Sequence, residues 1–248
     1  MCTITTSLTP YSMSDISQPE SQPAINKAVT TSDQPPVYKA VRAVGIIKPT
    51  FASGSQGPFT NKLDVLGTAF WLKDYKVLVT CGHVVQRLLS GPLELTGLLM
   101  VGNLGQYSRA TIAALDFDHD LAVLRVADQL PAFIDSEAAS GLELVDSYPQ
   151  VGTAVAYAGF PKGIELLNSI HSPTYAEGVV GVQLREGPFR KEIQITGAVA
   201  GGYSGAPIVV KDQPMKVLGV LSSGPQDPNI FMAVSWEHIK AIAKLATS

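Results

Sequence analysis

From Val41 onward the chain is a series of short apolar runs rich in β-branched residues, each cut off by Gly, Pro, Asn or Asp. They fall at residues 41–47, 63–73, 76–80, 93–101, 110–116 and 121–126, then at 154–159, 178–184, 192–197, 206–211, 216–221 and 231–234. Short strands at this spacing indicate an all-β sandwich or barrel rather than alternating β and α units. Asp74-Tyr75 reads as a hairpin turn, residues 84–89 as one helical turn, and 127–150 as a crossover between two sets of strands. The total is close to the twelve strands of a double barrel.

The chain ends in a different texture. Ser235 is a suitable helix N-cap, Glu237 lies in the first turn, and Lys240 and Lys244 lie toward the end, all favourable with the helix dipole. Trp236, Ile239, Ile242 and Ala243 form one apolar stripe, which is expected to pack on the second barrel. At the other end, residues 1–36 are rich in Ser, Thr, Gln and Pro and cannot bury enough apolar surface to fold alone. They carry no basic region followed by an apolar one, so no signal peptide is visible. The expected organisation is a leader over 1–36, a first barrel over 37–130, and a second barrel with the terminal helix over 131–248.

A formal net charge of −3 argues against a nucleic-acid partner, and no apolar run approaches the ~20 residues of a membrane span. Cys2 and Cys81 are the only cysteines. One lies in the polar leader and the other in an apolar run, so two free thiols and a reducing, cytoplasmic setting are expected.

The stretch Ala200-Gly201-Gly202-Tyr203-Ser204-Gly205-Ala206-Pro207 places a serine between glycines, just before the apolar run Ile208-Val209-Val210. A serine hydroxyl becomes a nucleophile only when a base takes its proton and donors hold the oxyanion that follows. A tight turn here could aim the N–H groups of Gly202 and Ser204 at one point beside the hydroxyl. An ordinary Gly-rich turn between strands would read the same in isolation. Two further stretches bear on the choice. His83 stands in Thr80-Cys81-Gly82-His83-Val84-Val85, and Asp116, Asp118 and Asp120 precede Leu121-Ala122-Val123-Leu124. The aspartates lack the glycine and distant glutamate of a calcium loop, and no metal or cofactor is expected.

Histidine, aspartate, serine is the chymotrypsin-type order of a triad, distinct from the orders of subtilisins and α/β-hydrolases. These stretches resemble the trypsin-like serine peptidases, and within them the disulfide-free bacterial HtrA/Deg branch. Gly67-Thr68-Ala69-Phe70 with Val77-Leu78-Val79-Thr80 is similar to that family's lead-in to its histidine. Asp120-Leu121-Ala122-Val123-Leu124-Arg125-Val126 is similar to its aspartate motif, and Val151-Gly152 with Ala156-Tyr157-Ala158-Gly159-Phe160-Pro161 to the opening of its second barrel. The resemblance implies two six-stranded antiparallel β-barrels with a C-terminal α-helix, and a serine endopeptidase acting on protein or peptide substrates. His83 is implied as base, Asp120 as its orienting acid, Ser204 as nucleophile, and the backbone of Gly202 and Ser204 as oxyanion hole. Asp120 is preferred over its neighbours because it directly precedes the strand, as the family's aspartate does. With the helix running to residue 248, the PDZ domain that many relatives carry is not expected here.

The substrate-facing expectations rest on the same alignment. Ala198 stands six before the nucleophile, at the base of the primary pocket, and Ile230 on the opposite wall would shorten it. Ser222 matches a family serine that hydrogen-bonds the aspartate. No acidic residue lies between Gly197 and Gly205, so small or aliphatic residues are expected before the scissile bond. Tyr203 replaces the usual Asp or Asn before the nucleophile, which excludes zymogen activation through a new N-terminus paired with that acid. Ala206 replaces a frequent glycine. His119, His171 and His238 read as surface residues, and Cys81 as a small core residue. The rival expectation is a catalytically silent double barrel that binds peptides or proteins. A regulatory partner is not specified by the sequence.

Overall fold

The structure is a computed structural model and describes residues 34–50, 60–89, 98–103, 106–126, 141–161, 173–186, 191–223 and 229–248. Residues 1–33 of the leader with Cys2, residues 93–97 of the fourth apolar run, and His171 lie outside them. A short helix not expected from the sequence, α1 (Pro36–Ala40), opens with proline in its first turn and buries Val37 and Ala40.

The first set of strands is β1 (Val41–Thr50), β2 (Thr60–Leu72), β3 (Val77–Cys81), β4 (Leu98–Asn103), β5 (Gln106–Asp116) and β6 (Leu121–Val126). They close into an antiparallel barrel in the order β1-β2-β3-β6-β5-β4, with β4 returning to β1. The hairpin between β2 and β3 turns through a 3₁₀ segment, Lys73–Tyr75, and ends at Lys76 in the left-handed region. All five residues of β3 are buried, because one face lines the barrel interior and the other is covered by neighbouring elements. The helical turn expected over 84–89 is longer: α2 (Gly82–Leu89) begins before His83.

The second set comprises β8 (Ala154–Gly159), β9 (Thr174–Glu186), β10 (Lys191–Gly197), β11 (Pro207–Val210), β12 (Gln213–Ser223) and β13 (Ile230–Ser235). Their order is β11-β8-β9-β10-β13-β12, and pairing of β11 with β12 closes the barrel. The two-residue β7 (Glu143–Leu144) adds to β12 in parallel. Its neighbour Leu142 bridges to Leu72 at the end of β2, and Glu143 is paired with both Lys73 and Lys216. The crossover thereby ties the two barrels together.

The chain ends in α3 (Trp236–Thr247), capped by Ser235, whose hydroxyl accepts the Glu237 N–H. Its stripe is buried as expected at Ile239, Ile242 and Ala243, with Ala246 in addition and Trp236 half-buried. The docking differs from expectation. The helix crosses back to lie against β5, β6 and β3 of the first barrel, while keeping contact with β12 and β13. The Arg125 side chain of β6 donates to the Ala246 carbonyl, and the imidazole of His238 stacks on that of His119 at 3.9 Å. The stripe therefore joins a core cluster that includes first-barrel residues Leu78, Cys81, Val123 and Leu124.

That cluster crosses the seam between barrels through Ala156, Ala158, Phe160, Val209 and Val220. A second cluster, built on Tyr157, Ile193, Ile195, Tyr203, Ile208 and Phe231, fills the second barrel.

Candidate active site

His83 stands at the point where β3 gives way to α2. The turn from β5 into β6 supplies Asp120, held in the left-handed region at φ 54°. Aspartate tolerates that conformation better than most residues do, and it aims the carboxylate back at α2. The Gly82 N–H donates to the Asp120 carbonyl at 3.0 Å, and the His83 N–H donates to Oδ1 at 2.8 Å. The imidazole Nδ1 of His83 lies 3.0 Å from Oδ1 and 2.8 Å from Oδ2. With Nδ1 facing a carboxylate, the proton belongs on Nδ1 and Nε2 is left with a lone pair.

Ser222, on β12 of the second barrel, donates its hydroxyl to Oδ2 of Asp120 at 2.5 Å. It is buried beside the carboxylate, so its place is behind the histidine. Burial of the Asp120 carboxyl works against its ionisation. The hydrogen bonds from the His83 ring, Ser222 and the His83 N–H, with the charge of His83, outweigh that and hold it below the usual carboxylate range. The other aspartates of the turn do other things. Asp116 accepts from His119 Nδ1 at 2.6 Å and from the His119 N–H at 3.1 Å, and Asp118 carries no contact to His83 among the described residues. His119 and His238 thus form a stacked pair with Asp116, more than isolated surface residues.

Cys81 is fully buried, and its thiol donates to the Leu221 carbonyl at 3.1 Å. Sγ of Cys81 and ligand atoms of His83 and Asp120 lie within 4.8 Å of one another. An extended strand would place residues 81 and 83 on one face, two residues apart, and here the chain enters α2 at Gly82, directly after Cys81. These donors are engaged with protein groups: the thiol with a carbonyl, the imidazole and carboxylate with each other.

The turn with Ser204 comes from the second barrel and is bound to β2 of the first. The Thr68 N–H donates to the Ser204 carbonyl at 2.8 Å. The Thr68 hydroxyl donates to the Gly202 carbonyl at 2.9 Å and accepts the Phe160 N–H at 3.0 Å. The Thr80 hydroxyl fixes Thr68 in turn through its carbonyl at 2.6 Å. Gly205, at φ +89°, passes so close to β2 that a Cβ there would lie 1.9 Å from the Thr68 carbonyl oxygen. A Cβ on Gly67 would lie 2.8 Å from both the Ser204 carbonyl oxygen and a methyl of Val84, the neighbour of His83. The turn is thus brought beside α2. The Ser204 hydroxyl is not a hydrogen-bond partner of His83 among the described residues, although catalytic hydrogen bonds often tighten only when substrate binds.

Within the turn, the N–H of Tyr203 goes to Ala200, that of Gly205 to Leu221 and that of Ala206 to Tyr203. Among the described residues the N–H groups of Gly202 and Ser204 have no partner. Tyr203 is buried, so the residue before the serine is part of the second core. Ala198 is exposed and its carbonyl accepts the Tyr157 hydroxyl at 2.7 Å. Ile230 is half-buried at the head of β13, paired with Thr196. The sequence reading missed Thr68 and Tyr157, which stand in motifs quoted for other reasons.

Comparison with known proteins agrees with this architecture. The family described as "Trypsin-like peptidase domain" matches residues 67–220. No curated protein matches the chain significantly. Among solved structures, the active form of the Rv3671c protease from M. tuberculosis is similar at 21% identity and a TM-score of 0.61, covering 98% of this chain and 94% of that one. The HtrA-type protease AlgW with decapeptide is similar at 17% identity and a TM-score of 0.62, covering 84% of this chain and 64% of that one. At such identities the structures speak for the fold, whereas the family match spans more than half of the sequence. The chain belongs to the trypsin-like serine peptidases.

Proposed function

We propose that this chain is a serine endopeptidase working through an acyl-enzyme, with Ser204 as nucleophile, His83 as general base and acid, and Asp120 as the group that orients the imidazole. The observation that carries the reading is the doubly hydrogen-bonded His83–Asp120 pair, backed by Ser222 and joined through Thr68 to the serine turn. His83 Nε2 takes the Ser204 proton as the oxygen attacks the peptide carbonyl. The free N–H groups of Gly202 and Ser204 receive the resulting oxyanion. Nε2 then returns the proton to the departing amine, and water repeats the sequence on the ester. Asp120 stays ionised throughout and stabilises the imidazolium.

Peptides are the substrates that suit this arrangement, and AlgW, an HtrA-type protease of similar fold, has been solved with a decapeptide. Ala198 brings no charge to the primary pocket and Ile230 takes up depth, which favours small aliphatic residues before the scissile bond. A reducing, cytoplasmic setting fits a chain of two cysteines whose Cys81 is a free buried thiol. Labelling with a fluorophosphonate probe tests the reading. Wild type reacts and hydrolyses a peptide library, and Ser204→Ala and His83→Ala do neither. A wild type that binds peptides without labelling or cleaving them would be the silent double barrel instead.

A further inference from the structure

Tyr157 is fully buried in β8 and touches three separate stretches of the second barrel. Its hydroxyl donates to the Ala198 carbonyl, just beyond the end of β10. Its ring stands edge-on to Tyr203, the residue before the nucleophile, with centroids 5.6 Å apart. The same ring stands edge-on to Phe231, next to Ile230, at 5.2 Å. These are the base, the nucleophile side and the far wall of the pocket assigned above, so the inference rests on the peptidase reading.

The surrounding residues are built to let the phenol reach. A Cβ on Gly197 would lie 2.7 Å from the Tyr157 oxygen, so any larger residue there displaces the hydroxyl from its acceptor. Burial, reinforced by Tyr203, pushes the phenol up to about 12, so it remains a neutral donor at working pH. The acceptor side is otherwise thinly held. From Ala198 to Gly202 the remaining anchors among the described residues are the Tyr203 N–H on Ala200 and the Thr68 hydroxyl on Gly202.

We propose that Tyr157 is a positioning residue for substrate selection: one buried phenol holds the Ala198, Tyr203 and Phe231 sides of the primary pocket at a fixed separation. It touches no substrate. Its work is to keep the pocket shallow, so that a small side chain fills it and a larger one does not.

The test uses wild type, Tyr157→Phe and Gly197→Ala, each confirmed as folded by urea denaturation. The substrates are peptides differing only in the residue before the scissile bond, Ala, Val, Leu or Phe. Phenylalanine keeps the ring packing and removes the hydroxyl. The preference for Ala over Leu, as a ratio of kcat/KM, is expected to fall about five- to tenfold, the range one hydrogen bond supports. The change is expected mainly in KM, with fluorophosphonate labelling of Ser204 within about twofold of wild type. Gly197→Ala is expected to shift the ratio in the same direction and serves if Tyr157→Phe does not fold. An unchanged ratio, or an equal loss on every substrate, overturns the proposal while leaving the peptidase reading intact. A wild type that neither labels nor cleaves removes that reading, and this inference with it.

Discussion

Thr68 offers the sharpest test of how the two barrels are joined. Its side chain is fully buried, and its hydroxyl serves as donor to Gly202 and acceptor for Phe160. Thr68→Val keeps the shape and the backbone bonds to Ser204 and Thr80, and removes those two contacts. Each lost hydrogen bond costs about 1 kcal/mol, and a buried N–H left without a partner costs about 1–3 kcal/mol more. The Phe160 N–H is such a group, since Phe160 is itself buried. The expected destabilisation is about 3–5 kcal/mol, or roughly 6–20 °C in melting temperature for a unit of this size. Urea denaturation should show a lower midpoint with an unchanged slope, because the surface exposed on unfolding is the same. Thr68→Ser retains the hydroxyl and should recover most of the loss. Peptide hydrolysis by Thr68→Val at a temperature where it remains folded should also fall, since Gly202 loses its tether. A melting temperature within a degree of wild type would refute the assignment of the hydroxyl as a buried bridge.

The catalytic pair and the buried thiol carry the other tests. Asp120→Asn should lower turnover by on the order of 10⁴ through the wrong imidazole tautomer, with Asp118→Asn nearly unaffected; the reverse pattern in steady-state kinetics would move the acid to residue 118. Because the folded carboxyl of Asp120 is held below its ordinary value, its contribution to stability is full above about pH 4 and is lost as pH falls through the folded value. The stability gap between wild type and Asp120→Asn in denaturation curves should therefore narrow as pH falls from about 4 through the folded value, and a constant gap would count against it. Melting with and without reductant should coincide, as Cys81 is a free thiol donating to Leu221, and a large fall under reductant would contradict this.

Much of this molecule could be read from local pattern. Apolar runs with brief interruptions mark strands because pairing needs only a few residues with the right alternation. His83, Asp120 and Ser204 each sit in a short stretch whose neighbours are themselves informative. Contacts between distant segments were not legible in the same way. Ser222 was found through resemblance, but the bridging hydroxyl of Thr68 and the reach of Tyr157 to Ala198 depend on how one barrel faces another. The stripe on α3 showed which side of the helix is buried, yet not against what. β7 was invisible because two residues carry no period, and its place is fixed by Leu142, Glu143 and their partners. The approach of Cys81 to His83 and Asp120 depends on α2 starting at Gly82, directly after the strand ends at Cys81.

The return of α3 to β5 and β6 has a consequence for synthesis. The first barrel leaves the ribosome complete in its strands, but its flank along β5 and β6 waits for residues 236–247 to cover it. A chain made at ~5–20 residues per second must therefore carry that apolar surface for roughly 5–25 seconds while the second barrel is produced. The segment that closes the first domain built is translated only after the second, so an early stop before Trp236 leaves a sticky product even though every strand of both barrels has been made.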